Sequence, residues 1–189
     1  MSLKELKKRI ARKDASVAVI GLGYVGLPVA ACFAEAGFDV LGVDIDETRL
    51  AKIDAGLNPI EGEEPGLSDL LANVVKSGKL STTSDYGQLS DRDVILISVE
   101  TPVDEQYVPR YDSLRNVLES LGPQLKDGAL VVVESTIAPG TTAELVLPAL
   151  EAGSGRILGN GFYLGHCPER VMPGKLLHNL RTLRRVVGG

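Results

Sequence analysis

The stretch Ser16-Val-Ala-Val-Ile20-Gly21-Leu-Gly23-Tyr-Val-Gly26 joins a short apolar run to three glycines with the spacing G-x-G-x-x-G. A second apolar stretch, rich in alanine, follows the last glycine and extends to Ala36. This order predicts a buried β-strand, a tight glycine loop and an α-helix. Such a unit is the beginning of a βαβ fold, so further parallel strands separated by helices should follow.

The rest of the chain continues this alternation. β-branched runs predict strands at residues 17–20, 40–43, 80–82, 94–99, 130–134 and 162–166. Amphipathic segments predict helices at residues 25–36, 47–55, 67–77, 113–125 and 141–151. Four of the strands are nearly continuous in apolar residues, as strands covered on both faces should be. The predicted fold class is therefore α/β, a Rossmann-type doubly wound, mostly parallel sheet with helices on both faces.

The start of the chain differs in charge from the remainder, and we predict a basic N-terminal helix over residues 1–15 ahead of a Rossmann domain over residues 16–189. A single acidic residue, Glu5, faces six basic ones between Lys4 and Lys13. Two interpretations follow. The helix either attaches to an anionic surface, or packs Leu3, Leu6 and Ile10 on the domain with its charges solvated, and the second is favoured.

Bulk composition excludes several classes of protein. The 189 residues are 44% hydrophobic, which suits one main core. No apolar run approaches the roughly 20 residues of a membrane span, and the charged N-terminus does not resemble a signal peptide, so we expect a cytoplasmic protein without membrane insertion. With two cysteines, two histidines and a net charge of −5, we expect no disulfide framework, no metal and no nucleic-acid partner.

The glycine loop predicts a binding site for a dinucleotide. Gly21 permits the tight turn, Gly23 lets a diphosphate approach the backbone, and Gly26 lets helix and strand pack closely. Tyr24 and Val25 belong to the same loop, where free N–H groups and the positive end of the helix attract the diphosphate.

An acidic residue at the end of the second predicted strand points to NAD. Asp44 stands 18 residues after Gly26, where a carboxylate can accept the ribose hydroxyls of the adenosine half and repel a 2′-phosphate. Arg49 follows one turn into the next helix, and lying against the adenosine end it would weaken this preference over NADP.

Two irregular stretches complete the pattern. Residues 56–66 have the composition of an exposed connection. Residues 101–112 leave the carboxyl end of a strand, where open α/β sheets bind their ligands, so they are either a wall of the site or a plain surface loop.

Beyond the fingerprint, the chain resembles the UDP-glucose/GDP-mannose dehydrogenase family. The resemblance covers nearly everything from Ser16 onward, and six stretches occur in family order: Gly21-Leu-Gly-Tyr-Val-Gly-Leu-Pro28, Val43-Asp-Ile-Asp46, Glu64-Pro-Gly-Leu67, Thr101-Pro-Val-Asp104, Glu134-Ser-Thr-Ile-Ala-Pro-Gly-Thr-Thr142 and Cys167-Pro-Glu-Arg-Val-Met-Pro-Gly174. The last stretch resembles the branch that acts on UDP-N-acetylhexosamines, notably UDP-N-acetylmannosamine.

The resemblance implies oxidation of the sugar C6 hydroxyl to a carboxylate with two NAD per turnover. In the family a cysteine thiolate traps the intermediate aldehyde, and water hydrolyses the resulting thioester. A UDP-sugar substrate, a homodimeric or larger parent protein, and a role in polysaccharide or glycan assembly are implied with it. UDP-glucose and GDP-mannose remain alternative substrates.

Residue by residue, the resemblance assigns Glu169 to the hydrolytic water and Thr136 to its positioning. It assigns Thr101, Ser135 and Thr136 to contacts with the cofactor, and Glu169, Arg170 and Val171 to contacts with the substrate; Glu134 is placed near the nicotinamide. Structural roles are also open to these residues. The Ser-Thr pair could cap the helix near Thr141, and Glu169 could pair with Arg170 or Arg181 at the surface.

The family's nucleophilic segment of Cys-Pro-Lys type is missing, as are its central helix and C-terminal domain. We interpret Cys167 as structural and Cys32 as a core residue. The chain is therefore expected to be the N-terminal domain of a longer dehydrogenase, inactive alone. The alternatives are a dinucleotide-binding module without catalysis, or an ordinary two-electron dehydrogenase of the hydroxyacid or 6-phosphogluconate type.

Overall fold

A single parallel β-sheet forms the centre of the computed structural model, which describes residues 1–189. Its strands are β1 (Ser16–Ile20), β2 (Asp39–Val43), β3 (Leu80–Thr83), β4 (Val94–Ile97), β5 (Ala129–Val133), β6 (Ile157–Leu158) and β7 (Gly161–His166). They lie in the order β3-β2-β1-β4-β5-β7-β6, and every neighbouring pair is parallel. This confirms the predicted Rossmann-type fold.

The six predicted strands are all present, with small differences at their ends. β4 ends at Ile97, two residues earlier than predicted, although Val99 continues the apolar run. β6 was not predicted. It is a two-residue segment at the edge of the sheet with both residues exposed, so it lacks the apolar pattern of the inner strands.

The helices are α1 (Leu3–Arg12), α2 (Gly26–Glu35), α3 (Glu47–Asp54), α4 (Leu67–Lys76), α5 (Asp112–Leu121), α6 (Leu147–Ser154) and α7 (Leu176–Thr182). Two predicted helices are interrupted. The first ends as α5 and continues only as a 3-10 turn around Pro123, and the second begins as one π-helical turn, Thr142–Val146, before α6. None of the helices combines the length and the apolarity required to cross a membrane.

Hydrophobic cores fill both faces of the sheet. Val17 and Val19 of β1 pack on one face with α2 and α4. Ala18 and Ile20 pack on the other face with α5 and α6. Because successive side chains of a strand point to opposite faces, burial of both faces explains why the inner strands read as continuous apolar runs.

The basic N-terminal helix packs on the domain, as the favoured interpretation predicts. Leu6 is fully buried in the core beside α2, and Ile10 packs partly against it. Leu3 is the exception, since it is 41% exposed. α1 shares its hydrophobic core with the rest of the chain. The division of the chain into two parts at residue 16 remains a prediction.

A buried charge cluster ties α1 to the amino-terminal edge of the sheet. Asp93, which precedes β4, has a fully buried side chain. Its carboxylate accepts hydrogen bonds from the Ser16 N–H at 2.9 Å and from Lys126 Nζ at 2.7 Å, and it lies 2.7 Å from Arg9 Nη1. Burial alone would raise the pKa of Asp93, but these donors and the two cations more than offset it and lower the pKa.

We predict that Asp93→Asn lowers the free energy of unfolding at neutral pH by about 2–4 kcal/mol, because it leaves two cations without their buried partner. The wild-type advantage is full above the ordinary carboxyl pKa and is lost as pH falls through the lowered folded pKa. Urea unfolding at several pH values measures both effects.

The matched control is Asp14→Asn, which removes an exposed carboxylate paired with Arg9 and Arg12. An exposed pair contributes about 0–1 kcal/mol, so this variant should unfold nearly as the wild type does. Equal losses for the two variants would contradict the role of the buried cluster.

Candidate dinucleotide-binding site

A cleft of about 710 Å³ opens at the carboxyl ends of the strands. It lies between β1 and β4, where the strand order reverses. From β1 the chain proceeds to β2 and β3 on one side of the sheet, and from β4 it proceeds to β5 on the other side. Doubly wound sheets bind their ligands at this switch point, because the loops leaving the two central strands diverge there. The cleft is lined by residues that follow β1, β2, β4, β5 and β7.

The three glycines of the loop differ in their surroundings. Gly21 has a φ of +88°, and a Cβ on it would lie 2.6 Å from the Ser98 carbonyl oxygen. A Cβ on Gly26 would lie 1.8 Å from the Gly21 carbonyl oxygen, so α2 can approach β1 only without a side chain there. Around a Cβ on Gly23 there is no atom within 4 Å. The geometry is the one that the predicted role of each glycine requires.

The loop also presents unpaired backbone donors. The N–H groups of Gly23, Tyr24 and Val25 donate to no protein acceptor, and no side chain caps the start of α2. These donors lie at the positive end of the helix dipole, and both Gly23 and Tyr24 line the cleft. The arrangement suits a diphosphate, which needs several donors and close backbone approach.

Asp44 occupies the end of β2 and lines the same cleft. Its side chain is 5% exposed; one oxygen accepts the Leu22 N–H at 2.7 Å, and the other accepts the Asp46 N–H at 3.0 Å. Arg49 Nη1 lies 2.9 Å from Asp44 Oδ2, so a cation stands beside the carboxylate as the sequence suggested. The carboxylate is thus fixed in a position to accept ribose hydroxyls.

A second contact ties the glycine loop to the segment before α7. The Tyr24 hydroxyl donates to Glu64, whose carboxylate also accepts the Gly174 N–H at 2.7 Å and the Leu176 N–H at 3.2 Å. Burial, together with this bond and the charge of Glu64, raises the pKa of Tyr24 to about 12. Glu64 therefore joins the glycine loop to a segment that lies 110 residues beyond Glu64 in the sequence.

The hydroxyl groups after β4 and β5 hold the two strand ends together. Thr101 Oγ1 donates to the Thr136 carbonyl oxygen at 2.7 Å, and Ser135 Oγ donates to the Val99 carbonyl oxygen at 2.7 Å. All three of Thr101, Ser135 and Thr136 line the cleft. The capping alternative is wrong for this pair, because no side chain caps the helix that begins after Thr141. Of residues 101–112 only Thr101 lines the cleft, so the rest of this stretch is a surface loop.

Glu169 reaches the cleft from the segment after β7. Its side chain is 5% exposed; Oε1 accepts the Arg170 N–H at 2.7 Å, and Oε2 lies 2.5 Å from Arg185 Nη1. The surface pairs considered from the sequence do not form, since the Arg170 guanidinium donates to the Arg184 carbonyl oxygen and Arg181 pairs with Glu35.

Arg170 and Val171 are not among the residues that line the cleft, and their contact with substrate remains a prediction. Sequence reasoning missed two neighbours of Glu134. Ser98 Oγ donates to it at 2.9 Å, and Arg185 Nη1 lies 3.5 Å from it. Ser98 could have been found as the first residue after β4, whereas nothing in the sequence marks Arg185.

The open backbone at Gly23, the free N–H groups and the buried carboxylate of Asp44 together fit a dinucleotide along one cleft. The fold and the site define a dinucleotide-binding domain of the Rossmann type.

The particular family follows from comparison with known proteins. The model of the UDP-glucose/GDP-mannose dehydrogenase family, NAD binding domain, matches residues 15–189, so this chain belongs to that family as its NAD-binding domain. It is 40% identical over 173 residues to UDP-N-acetyl-D-mannosamine dehydrogenase of Pyrococcus horikoshii, a match that covers 92% of the chain and 40% of the relative.

Solved structures agree. The NDP-N-acetyl-D-galactosaminuronic acid dehydrogenase of Methanosarcina mazei superposes with a TM-score of 0.90 at 39% identity, over 100% of this chain and 42% of that one. The GDP-mannose dehydrogenase of Pseudomonas aeruginosa, solved as a ternary complex, superposes with a TM-score of 0.87 at 32% identity, over 91% and 40%. The chain thus spans about two fifths of the relatives that it matches.

We expect opposite results from substitution of Gly23 and of Gly26. Gly23→Ala should leave the melting temperature unchanged, because the added methyl meets no protein atom, but should weaken NAD binding about tenfold or more by blocking the diphosphate. Gly26→Ala should lower stability by about 2 kcal/mol or more, because α2 must move away from β1. Thermal melting and calorimetric titration separate the two effects. Similar behaviour of the two variants would contradict this assignment.

Substitution of Asp44 tests the preference for NAD. Asp44→Ala should weaken NAD binding by about 10- to 100-fold, as expected when a charged acceptor of hydrogen bonds is lost. Its affinity for NADP should fall less or rise, because the 2′-phosphate no longer meets a carboxylate and Arg49 is released. Calorimetric titration of both dinucleotides measures the ratio. A variant with an unchanged NAD/NADP ratio would exclude Asp44 as the selecting group.

Proposed function

We propose that this chain binds NAD for the oxidation of the C6 hydroxyl of a UDP-N-acetylhexosamine to a carboxylate. The preferred substrate in this proposal is UDP-N-acetylmannosamine. Two NAD are consumed, because alcohol to carboxylate is a four-electron change. The observation that carries the proposal is that Thr136 and Glu169 line the same cleft as the glycine loop and Asp44. Groups suited to handling water therefore lie beside the dinucleotide site.

The choice of sugar rests on the relatives and on one stretch of sequence. The Pyrococcus horikoshii relative is named for UDP-N-acetyl-D-mannosamine, and the Methanosarcina mazei structure for an N-acetylated uronic acid. The GDP-mannose dehydrogenase is less similar, at 32% identity. The stretch Pro168-Glu-Arg-Val-Met-Pro-Gly174 resembles the N-acetylhexosamine branch. These favour an N-acetylated substrate over UDP-glucose or GDP-mannose.

Bound NAD supplies the hydride acceptor for both oxidations. The chain's own residues orient the hydrolytic water and remove a proton from it. Glu169 is held by the Arg170 N–H and the Arg185 guanidinium, so its carboxylate has a fixed direction at the wall of the cleft. A carboxylate in such a position can take a proton from the water that hydrolyses the thioester left by the second oxidation. Thr136, whose carbonyl is anchored by Thr101, would orient that water.

Glu169→Gln tests the role of the carboxylate. The variant is made in a polypeptide that joins this chain to the central helix and C-terminal domain found in the family. Loss of a general base should lower the steady-state rate by about 10²–10⁴-fold. The two NADH formed per site in the first turnover should persist, because both hydride transfers precede hydrolysis of the thioester. Stopped-flow and steady-state absorbance of NADH, with UDP-N-acetylmannosamine, UDP-glucose and GDP-mannose compared, measure both.

Glu61→Gln is the matched control, since Glu61 is exposed and lies in the connection outside the cleft. It should behave as the wild type. An unchanged rate in Glu169→Gln would exclude the general-base role. A wild-type protein that oxidises GDP-mannose or UDP-glucose faster than the N-acetylated sugar would overturn the choice of substrate.

A further inference from the structure

Glu134 is a buried carboxylate in the wall of the cleft, directly after β5. Its side chain is only 4% exposed. Ser98 Oγ donates to Oε2 at 2.9 Å, and Arg185 Nη1 lies 3.5 Å from Oε1. The role proposed for Glu169 and Thr136 does not use this group, yet a buried carboxylate carries a desolvation cost that a structural side chain could avoid.

One arginine serves two carboxylates. Arg185 Nη1 lies 2.5 Å from Glu169 Oε2 and 3.5 Å from Glu134 Oε1, and Arg185 does not itself line the cleft. The backbone that follows Arg185 is tied to the end of β7, because Gly188 and His166 exchange two backbone hydrogen bonds, at 2.8 and 2.9 Å. The single cation lies closer to Glu169, so Glu134 is only partly compensated.

The position of Glu134 along the cleft decides which part of a dinucleotide it faces. Asp44 marks the adenosine end at β2, and the glycine loop marks the diphosphate at β1. The remaining half of the molecule crosses the switch point toward the ends of β4 and β5, where Ser98 and Glu134 lie. This step rests on the proposed function only for the direction of the dinucleotide, which places the nicotinamide at the reacting groups.

We propose that Glu134 makes this domain distinguish oxidised from reduced NAD by charge, with Arg185 setting how strongly it does so. The nicotinamide ring carries a positive charge when oxidised and none when reduced. An ionised carboxylate in a poorly solvated wall attracts the first and not the second. Glu134 is then a redox-selective binding group, and Arg185 a positioning residue that acts through it.

The discrimination should depend on pH in a defined direction. Burial raises the pKa of Glu134, and the charge of Glu169 raises it further, whereas the Ser98 hydrogen bond and Arg185 lower it. Only the ionised form attracts the oxidised ring, so the preference for NAD+ over NADH should grow as pH rises through this raised pKa. Glu169 and Arg185 are the charged groups that act on Glu134, and the ring of His166, at the end of β7, contacts the carbonyl oxygen of the neighbouring Ser135.

The test is calorimetric titration of this chain with NAD+ and with NADH at a series of pH values that begins near the ordinary carboxyl pKa of about 4.3 and extends upward. In the wild type the ratio of the NADH and NAD+ dissociation constants should rise about tenfold with increasing pH. In Glu134→Gln the ratio should be low and independent of pH. Glu119→Gln, an exposed glutamate of α5, should match the wild type.

Variants of Arg185 test whether this residue sets how strongly Glu134 distinguishes NAD+ from NADH. Arg185→Gln should move the rise in the ratio to higher pH, because the cation that favours ionised Glu134 is gone, and Arg185→Lys should restore it in part. A purely structural arginine would change both affinities equally and leave the ratio unmoved.

One measurement needs no variant. Titrations of the wild type in buffers of different ionisation enthalpy should show protons released on binding NAD+ and not on binding NADH. A ratio that stays flat with pH in the wild type, or that still rises in Glu134→Gln, would overturn the inference. Failure to oxidise a nucleotide sugar would overturn the proposed function and leave this result standing.

Discussion

The contact between the start of α2 and the end of β1 governs the site. Because Gly26 has no side chain, the helix approaches the Gly21 carbonyl to a distance that any Cβ would prevent. Leu22, between them, is fully buried against Gly42 of β2, and its N–H is held by Asp44. The loop, the helix dipole and the Asp44 carboxylate are therefore positioned by one set of short contacts, which the absence of side chains at Gly26 and Gly42 permits.

Polar groups divide between the two edges of the sheet according to role. At the amino-terminal edge, Asp93 is fully satisfied by Ser16, Lys126 and Arg9, which join α1 to β1 and β4. At the carboxyl edge, Glu134 and Glu169 share one arginine. A saturated cluster stabilises the fold, whereas an undercompensated one leaves charge to act on a ligand, at some cost in stability.

The fold was predictable because its signals are local. The G-x-G-x-x-G stretch, the acidic residue after β2 and apolar runs buried on two faces are each read within about 30 residues. Predictions were wrong where the local sequence pattern does not match the backbone geometry. Val99 extends an apolar run beyond the end of β4, and the α-helix α5 ends before Pro123 although its amphipathic pattern continues. The exposed strand β6 has no apolar pattern from which it could be predicted. The helix α7 was missed for a similar reason, since it has seven residues and no capping side chain.

The site was predictable only for residues that directly follow a strand or belong to a family motif. Glu169 and Thr136 were named in this way, but their partners were not. Arg185 meets Glu134 across 51 residues, and Tyr24 meets Glu64 across 40, and in both cases a loop that is irregular in sequence supplies one partner. The contacts that set the charge of the cleft thus depend on tertiary packing alone. Since Glu134 and Glu169 compete for a single cation, a change at either carboxylate alters the field at the other, and the effects of substituting the two should not be additive.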